Sequence, residues 1–243
     1  MIHIGTSGYS YPEWRGSFYP ADLPTSQMLG YYAARFSTVE INNTFYRLPS
    51  EKVLAEWAQQ TPPGFVLTLK APRRITHEAR LRECEELMAV LCARAQTLGP
   101  KLGVLLFQLP PWFKKDLKVL DAFLDLMPSD VRAAFEFRNA SWLGDDVYAR
   151  LRAKNLALCI ADTADATTPL VPTADYGYFR LRDEGYRESD IGEWAETITQ
   201  HARDWKDVFV YFKHEQEGKG AEFAQSLAKM ISQVDLPSAG PPS

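Results

Sequence analysis

Residues 133–162 read AAFEFRNASWLGDDVYARLRAKNLALCIAD. The run opens on a short apolar stretch, Ala133–Arg138, in which Phe135 and Phe137 alternate with Glu136 and Arg138. An amphipathic stretch, Asp145–Lys154, follows, and then a second apolar run, Ala157–Asp162. This is strand, helix, strand, the pattern of parallel strands joined by a crossover helix.

The same alternation extends in both directions. Upstream, candidate strands are Ile2–Gly5, Thr38–Asn42, Phe65–Lys70 and Leu102–Gln108; downstream they are Tyr178–Leu181 and Val208–Phe212. Candidate helices Ser26–Phe36, Glu51–Gln60, Glu83–Leu98, Leu117–Leu126, Ile191–Trp205 and Gly220–Ser232 fall between or after them. The segment Thr163–Asp175 contains Pro169 and Pro172 and reads as loop, so the helix after strand six is short or missing. Eight such units in 243 residues predict an α/β fold of the (β/α)8 TIM-barrel type, a single domain over residues 1–233. The alternative, an open doubly wound sheet, lacks its usual signature. No Gly-x-Gly-x-x-Gly follows an early strand, and Gly5-Thr6-Ser7-Gly8 matches it only in part. Residues 234–243 are rich in Pro, Ser and Gly and are expected to form a disordered tail.

Composition narrows the function classes. The chain is 46% hydrophobic and 24% charged, and no stretch approaches the roughly 20 apolar residues of a membrane span. A net charge of −4 weighs against a protein-wide basic surface for nucleic acid. The opening Met1-Ile2-His3-Ile4-Gly5 has no basic segment followed by an apolar run, so a signal peptide is not expected and a cytoplasmic location is. Three cysteines, Cys84, Cys92 and Cys159, fit neither a disulfide framework nor a zinc knuckle and are expected to be small buried residues.

Polar residues at strand ends are the functional signal. Successive side chains on a strand face opposite ways. If the apolar set packs on the helices, the polar set points into the barrel near its C-terminal mouth, where barrel enzymes carry their active sites. Glu40, Asn42, Lys70, Gln108, Glu136, Arg138, Asp162 and Arg180 are expected to converge there. One or two such groups would suit a structural salt bridge; six or more strands ending in polar groups favour a site, because buried charges are expensive unless paired.

The residue types suggest an anionic ligand. Arginine forks pair with two oxygens of a carboxylate or phosphate. Arg138, Arg180 and Arg73, with Arg182 nearby, are candidate binding groups; Asn42 and Gln108 would orient the substrate. Gly218-Lys219-Gly220 precedes the last helix and adds Lys219 as a candidate phosphate contact, with His214 in the loop before it. Glu40, Glu136, Lys70 and Asp162 are the candidate catalytic groups. Either glutamate is a candidate general base. Lys70 is assigned first to neutralising a developing oxyanion and second to a Schiff base. No metal site is assigned. With four histidines in the chain a multi-zinc site is poorly supported, while a single Mg²⁺ or Mn²⁺ on Glu40, Glu136 and Asp162 stays open, and no cofactor is required. Aromatic side chains in the loops, among them Trp14, Tyr19, Tyr46, Trp112 and Trp142, are mostly assigned to packing.

Several stretches carry a resemblance. Gly5-Thr6-Ser7-Gly8-Tyr9 with Trp14 and Tyr19-Pro20, Val39-Glu40-Ile41-Asn42-Asn43-Thr44-Phe45-Tyr46, and Lys70-Ala71-Pro72-Arg73 recur in one family. So do Phe107-Gln108-Leu109-Pro110-Pro111, Glu136-Phe137-Arg138 with Ser141-Trp142, Asp162-Thr163, and Val210-Tyr211-Phe212-Lys213-His214. As a set they resemble the YecE-like family, the domain of unknown function 72, over nearly the whole chain. The resemblance implies a TIM-type barrel and leaves the reaction open. The family's arginine-x-histidine-glycine pattern is here Arg180-Leu181-Arg182-Asp183, which raises the question of whether Arg182 replaces a functional histidine.

The leading expectation is therefore a barrel enzyme, an acid/base hydrolase, lyase or isomerase, acting on a small anionic substrate, phosphorylated ones included. The alternatives are a metal-dependent phosphodiester hydrolase and a non-catalytic module binding nucleic acid or protein.

Overall fold

Eight strands close on themselves: β1 (Ile2–Ser7), β2 (Thr38–Ile41), β3 (Val66–Lys70), β4 (Leu102–Gln108), β5 (Ala133–Glu136), β6 (Ala157–Asp162), β7 (Tyr176–Leu181) and β8 (Asp207–Phe212). In this computed structural model, which describes residues 1–214 and 216–234, each strand pairs parallel with its sequence neighbours, and β8 returns to β1 to complete the barrel. The expected (β/α)8 architecture is the one found. The tail expected over 234–243 lies outside the described residues, apart from Val234 at the end of the last helix.

Seven α-helices lie among the described residues: α1 (Met28–Ala33), α2 (Glu51–Gln60), α3 (Glu85–Gln96), α4 (Leu117–Leu124), α5 (Asp145–Ala153), α6 (Glu188–His201) and α7 (Lys219–Val234). Ser50 and Asp116 cap α2 and α4 by accepting from the backbone N–H of Val53 and Val119. No helix separates β6 from β7, as the two prolines led us to expect. The chain instead doubles back: Thr168 N–H donates to Ala161 O at 2.9 Å, and Thr173 then bonds both Leu158 N–H and Leu156 O. Helix α6 sits three residues earlier than expected, because Asp190 accepts from the backbone and side chain of Arg187 and so sets the helix start.

Each strand buries two faces. Val39, Ile41, Leu67, Leu69, Leu105, Phe107, Phe135, Leu158, Ile160, Phe179, Leu181, Val210 and Phe212 belong to the apolar layer between barrel and helices. Val104, Leu106, Ala134, Ala157, Cys159, Ala161, Tyr176, Tyr178, Phe209 and Tyr211 form a second cluster that fills the barrel. Inside, Tyr211 Oη bonds the hydroxyls of Thr38 and Thr68, both at 2.8 Å. All three cysteines are buried and free, as expected. Among the described residues no helix is long and apolar enough to cross a membrane.

Candidate active site

The inward positions nearest the strand C-termini are polar. On β1 this is Ser7, and Gly8 turns the chain away immediately after it. Gly8 has φ +98°, a conformation that favours glycine, and a Cβ there would fall 2.2 Å from Tyr11 Oη. That turn holds Ser7 beside β2, where Gly8 N–H donates to Glu40 O at 2.7 Å.

At the centre is Arg180, 1% exposed. Its Nε and Nη2 donate to Glu40 Oε1 at 3.2 and 2.8 Å, its Nη2 also reaches Ser7 Oγ at 3.2 Å, and its Nη1 donates to Glu136 Oε2. One guanidinium thus bridges two buried carboxylates. Further donors reach both carboxylates. Tyr178 Oη and Ser7 Oγ donate to Glu40. Gln108 Nε2 donates to both oxygens of Glu136 at 2.8 Å, Arg138 Nε donates to it at 2.9 Å, and Arg182 Nη1 lies 3.4 Å away. Asn42 Nδ2 donates to Ser7 Oγ at 2.7 Å, while its buried Oδ1 has no partner among the described residues.

Burial opposes the ionisation of Glu136. Arg180, Arg138, Arg182 and Gln108 together outweigh it and hold the carboxyl well below the usual carboxylate range. A carboxylate so held, with its oxygens already bonded, is a poor general base. The sequence-based assignment of Glu136 as a base is thus less favoured than a role as fixed countercharge. Burial, and then Glu40 nearby, keep the Tyr178 phenol protonated as a donor.

Lys70 differs from its neighbours. It ends β3 half-buried, with Nζ 4.3 Å from the centre of the Phe45 ring, and its amine makes no hydrogen bond or ion pair among the described residues. Burial and the Arg180 charge lower its amine to about 7, against the pull of Glu40 and Glu136; Arg138 adds to the lowering. The chain after Lys70 forms a π-helical turn, Arg74–Glu78, followed by positive φ angles at Arg80, Leu81 and Glu83. Such irregular backbone gathers at functional sites. The turn sets the His77 ring edge-on to Phe45 at 4.9 Å, with Nδ1 2.9 Å from Thr76 Oγ1. Burial and the charges of Lys70, Arg138 and Arg73 lower the His77 imidazole, so it too favours its neutral form.

The structure therefore gathers Glu40, Asn42, Lys70, Gln108, Glu136, Arg138 and Arg180, as expected, with Arg182 beside them, and adds Ser7 and Tyr178. Four expected members do not join. Asp162 shares the outward face of Leu158 and Ile160, and accepts from Thr167, from Tyr186 Oη at 2.6 Å and from Trp194 Nε1 at 3.2 Å, tying β6 to the helix layer. The three carboxylates considered for Mg²⁺ or Mn²⁺ consequently do not meet. Arg73 is exposed and lies 3.4 Å from Glu78. His214 follows the outward set of β8; its Nε2 lies 2.7 Å from Asp183 O and its ring packs on Phe223. Lys219 is exposed at the start of α7 and pairs with Glu222 at 2.8 Å. These last two line a cleft of about 900 Å³ between α6 and α7, whose lining includes Glu184, Glu188 and Glu222 and is no simple phosphate cradle. Of the loop aromatics, Trp14, Tyr19 and Trp142 are buried as expected, whereas Tyr46 and Trp112 are exposed.

Fold and site together define a class: a parallel eight-stranded barrel with an arginine-bridged carboxylate pair at its C-terminal mouth. Comparison with known proteins gives the family. The model described as "Protein of unknown function DUF72" matches residues 3–242, and the chain belongs to this family. It is 35% identical to UPF0759 protein YecE of Escherichia coli K12 over 140 residues, 57% of this chain and 49% of the relative. The chain thus spans about half the length of the E. coli relatives it matches. UPF0759 protein YunF of Bacillus subtilis strain 168 is 24% identical over 270 residues, 95% of each chain. A crystal structure of a DUF72 family protein from Thermotoga maritima MSB8 gives a TM-score of 0.80 at 28% identity, covering 96% of this chain and 99% of that one. A second, from Enterococcus faecalis V583, gives 0.80 at 20% identity with 96% of each covered, and supports the fold alone.

Proposed function

We propose that the barrel mouth is the active site of an enzyme acting on a small anionic substrate, with Lys70 as its reactive group and Arg138 and Arg182 as its anion contacts. One observation carries the reading: among the described residues, three guanidinium groups and an amine share the site with only two carboxylates. Arg180 is spent on Glu40 and Glu136. The guanidinium groups of Arg138 and Arg182 each give one N–H to Glu136, and their other side-chain N–H groups have no partner among the described residues. Their side chains are 32% and 21% exposed, so they face the mouth and can be reached. An incoming carboxylate or phosphate would complete the charge balance and take the remaining donors. Glu40 and Glu136 then serve as a fixed floor that orients the arginines, in place of the acid/base pair first considered.

The test is melting temperature against added phosphate and small carboxylates at constant ionic strength. A ligand at about 100 times its Kd stabilises the folded state by about 2.7 kcal/mol. The upward shift should be strong in wild type and largely lost in Arg138→Gln and Arg182→Gln. An equal shift in all three proteins, or none with any anion, overturns the proposal.

A further inference from the structure

We infer that Lys70 is the nucleophile of an imine-forming step, and that the substrate class is a small aldehyde or ketone bearing an anionic group. This deepens the reading above and rests on it.

Interior lysines ordinarily have a structural duty, and Lys101 in this chain shows what one looks like. Its Nζ donates to Ala58 O at 2.5 Å, Thr61 O at 2.5 Å and Thr61 Oγ1 at 3.0 Å. All three ammonium protons are satisfied. Lys70 has no such acceptor, although two carboxylates lie in the same site. Both are already engaged by other donors: Arg180, Arg138 and Gln108 on Glu136, and Arg180, Tyr178 and Ser7 on Glu40. The arginines thus take the partners that would keep Lys70 a bound ammonium. What remains is an amine at the open end of a strand, over an aromatic ring, with its pKa near neutrality. This is the environment that activates a lysine toward carbonyls. It also reverses the ranking made from sequence, in which pairing with a carboxylate put electrostatic duty first.

The step balances with one proton drawn from solvent water. The neutral Nζ lone pair attacks the carbonyl carbon, the C=O π pair moves to oxygen, and the proton lost by nitrogen goes to that oxygen to give a carbinolamine. The C–O bond then breaks as the hydroxyl takes a second proton and leaves as water. The products are an iminium and one water, with no change in oxidation state. His77, on the same Phe45 ring, is placed to pass protons. Arg138 and Arg182 would hold the anionic group. The cationic iminium then weakens a neighbouring C–H or C–C bond, the chemistry of lyases and isomerases.

The experiment is reductive trapping. The protein is incubated near neutral pH with pyruvate, or separately with dihydroxyacetone phosphate, and then treated with sodium borohydride. Imine formation and reduction add the probe's mass less one oxygen. We expect a single adduct on the peptide carrying Lys70, formed roughly tenfold or more faster than at any other lysine, because only a lowered amine is substantially neutral there. Preference for one probe identifies carboxylate or phosphate as the anionic group. Inorganic phosphate should compete, and Arg138→Gln should slow labelling. Adducts scattered over surface lysines, or an adduct of equal yield in Lys70→Arg, overturn the inference. So does absence of adduct with both probes while phosphate still raises the melting temperature, and that outcome leaves the anion-binding reading standing. Loss of both signals in wild type removes both. Mapping the wild-type protein needs no variant to fold.

Discussion

Replacing Arg180 with Met tests whether the bridged carboxylates are held by that one side chain. The two carboxylates are not equally exposed to its loss. Without Arg180, Glu136 keeps Arg138, Arg182 and Gln108. Glu40 keeps only the neutral hydroxyls of Tyr178 and Ser7, because Arg180 is its single ion-pair partner among the described residues. Arg180→Met therefore strands one fully buried carboxylate. Breaking such a pair from one side destabilises by about 3–5 kcal/mol. For a chain of this length that is a fall in melting temperature of about 10 °C. Urea denaturation at neutral pH gives the free energy directly, and the second-site variants decide the argument. Glu40→Gln in the Arg180→Met background should recover most of the loss, since it removes the stranded charge. Glu136→Gln in the same background should recover little, since its charge is still matched. The reasoning is refuted if Arg180→Met lies within about 1 kcal/mol of wild type, below the range for a broken buried pair. Greater rescue by Glu136→Gln than by Glu40→Gln would refute it equally.

Two further outcomes follow from the same geometry. Lys70→Met should be more stable than wild type below pH 7, and its advantage should shrink as pH rises towards 10.5. The folded amine sits at about 7 and the unfolded one near 10.5, so across that window only the unfolded wild-type chain stays protonated and wild-type stability climbs. The groups that set this are Arg180 on β7, Glu40 on β2, Glu136 and Arg138 on β5, and His77 after β3. Denaturation curves on both sides of the window check it, and a pH-independent difference would count against a buried, unpaired amine. Asp162→Ala should destabilise by about 1 kcal/mol, because it leaves half-buried donors of Tyr186 and Trp194 without that acceptor, yet it should leave the anion-induced melting shift unchanged. A lost shift would return Asp162 to the site.

Most of the barrel was legible because the apolar runs are short and the amphipathic stretches between them are separate. Strands β4 and β6 and helix α2 run over the residues read from the pattern. The site was legible where strand alternation was followed to the end. Glu40, Lys70, Glu136, Arg138 and Arg180 follow that rule. Asp162 and His214 break away because each shares its face with outward apolar residues, Ile160 in one case and Phe212 in the other. The inward small residues Ala157, Cys159 and Ala161 carried that signal, and the polarity of Asp162 masked it. Tyr178, two residues before Arg180, was open to the same argument. Ser7 was harder to find, since its place depends on the Gly8 turn and on a glutamate 33 residues away. Arg73 and Lys219 stand at the starts of helical segments, where no two-residue period applies. The π-helical turn after β3 left no periodic trace at all.

The buried guanidinium of Arg180 has a consequence for how this protein can change over time. It ties three strands, β1, β2 and β5, to a fourth through one planar group. A mutation there alters the folding of the barrel and the arrangement of its mouth together, so selection can rarely act on one alone. The amine of Lys70 and the outer edges of Arg138 and Arg182 carry no such double duty. Under the proposed reading, differences in ligand choice are to be sought at that upper rim, above the bridged pair.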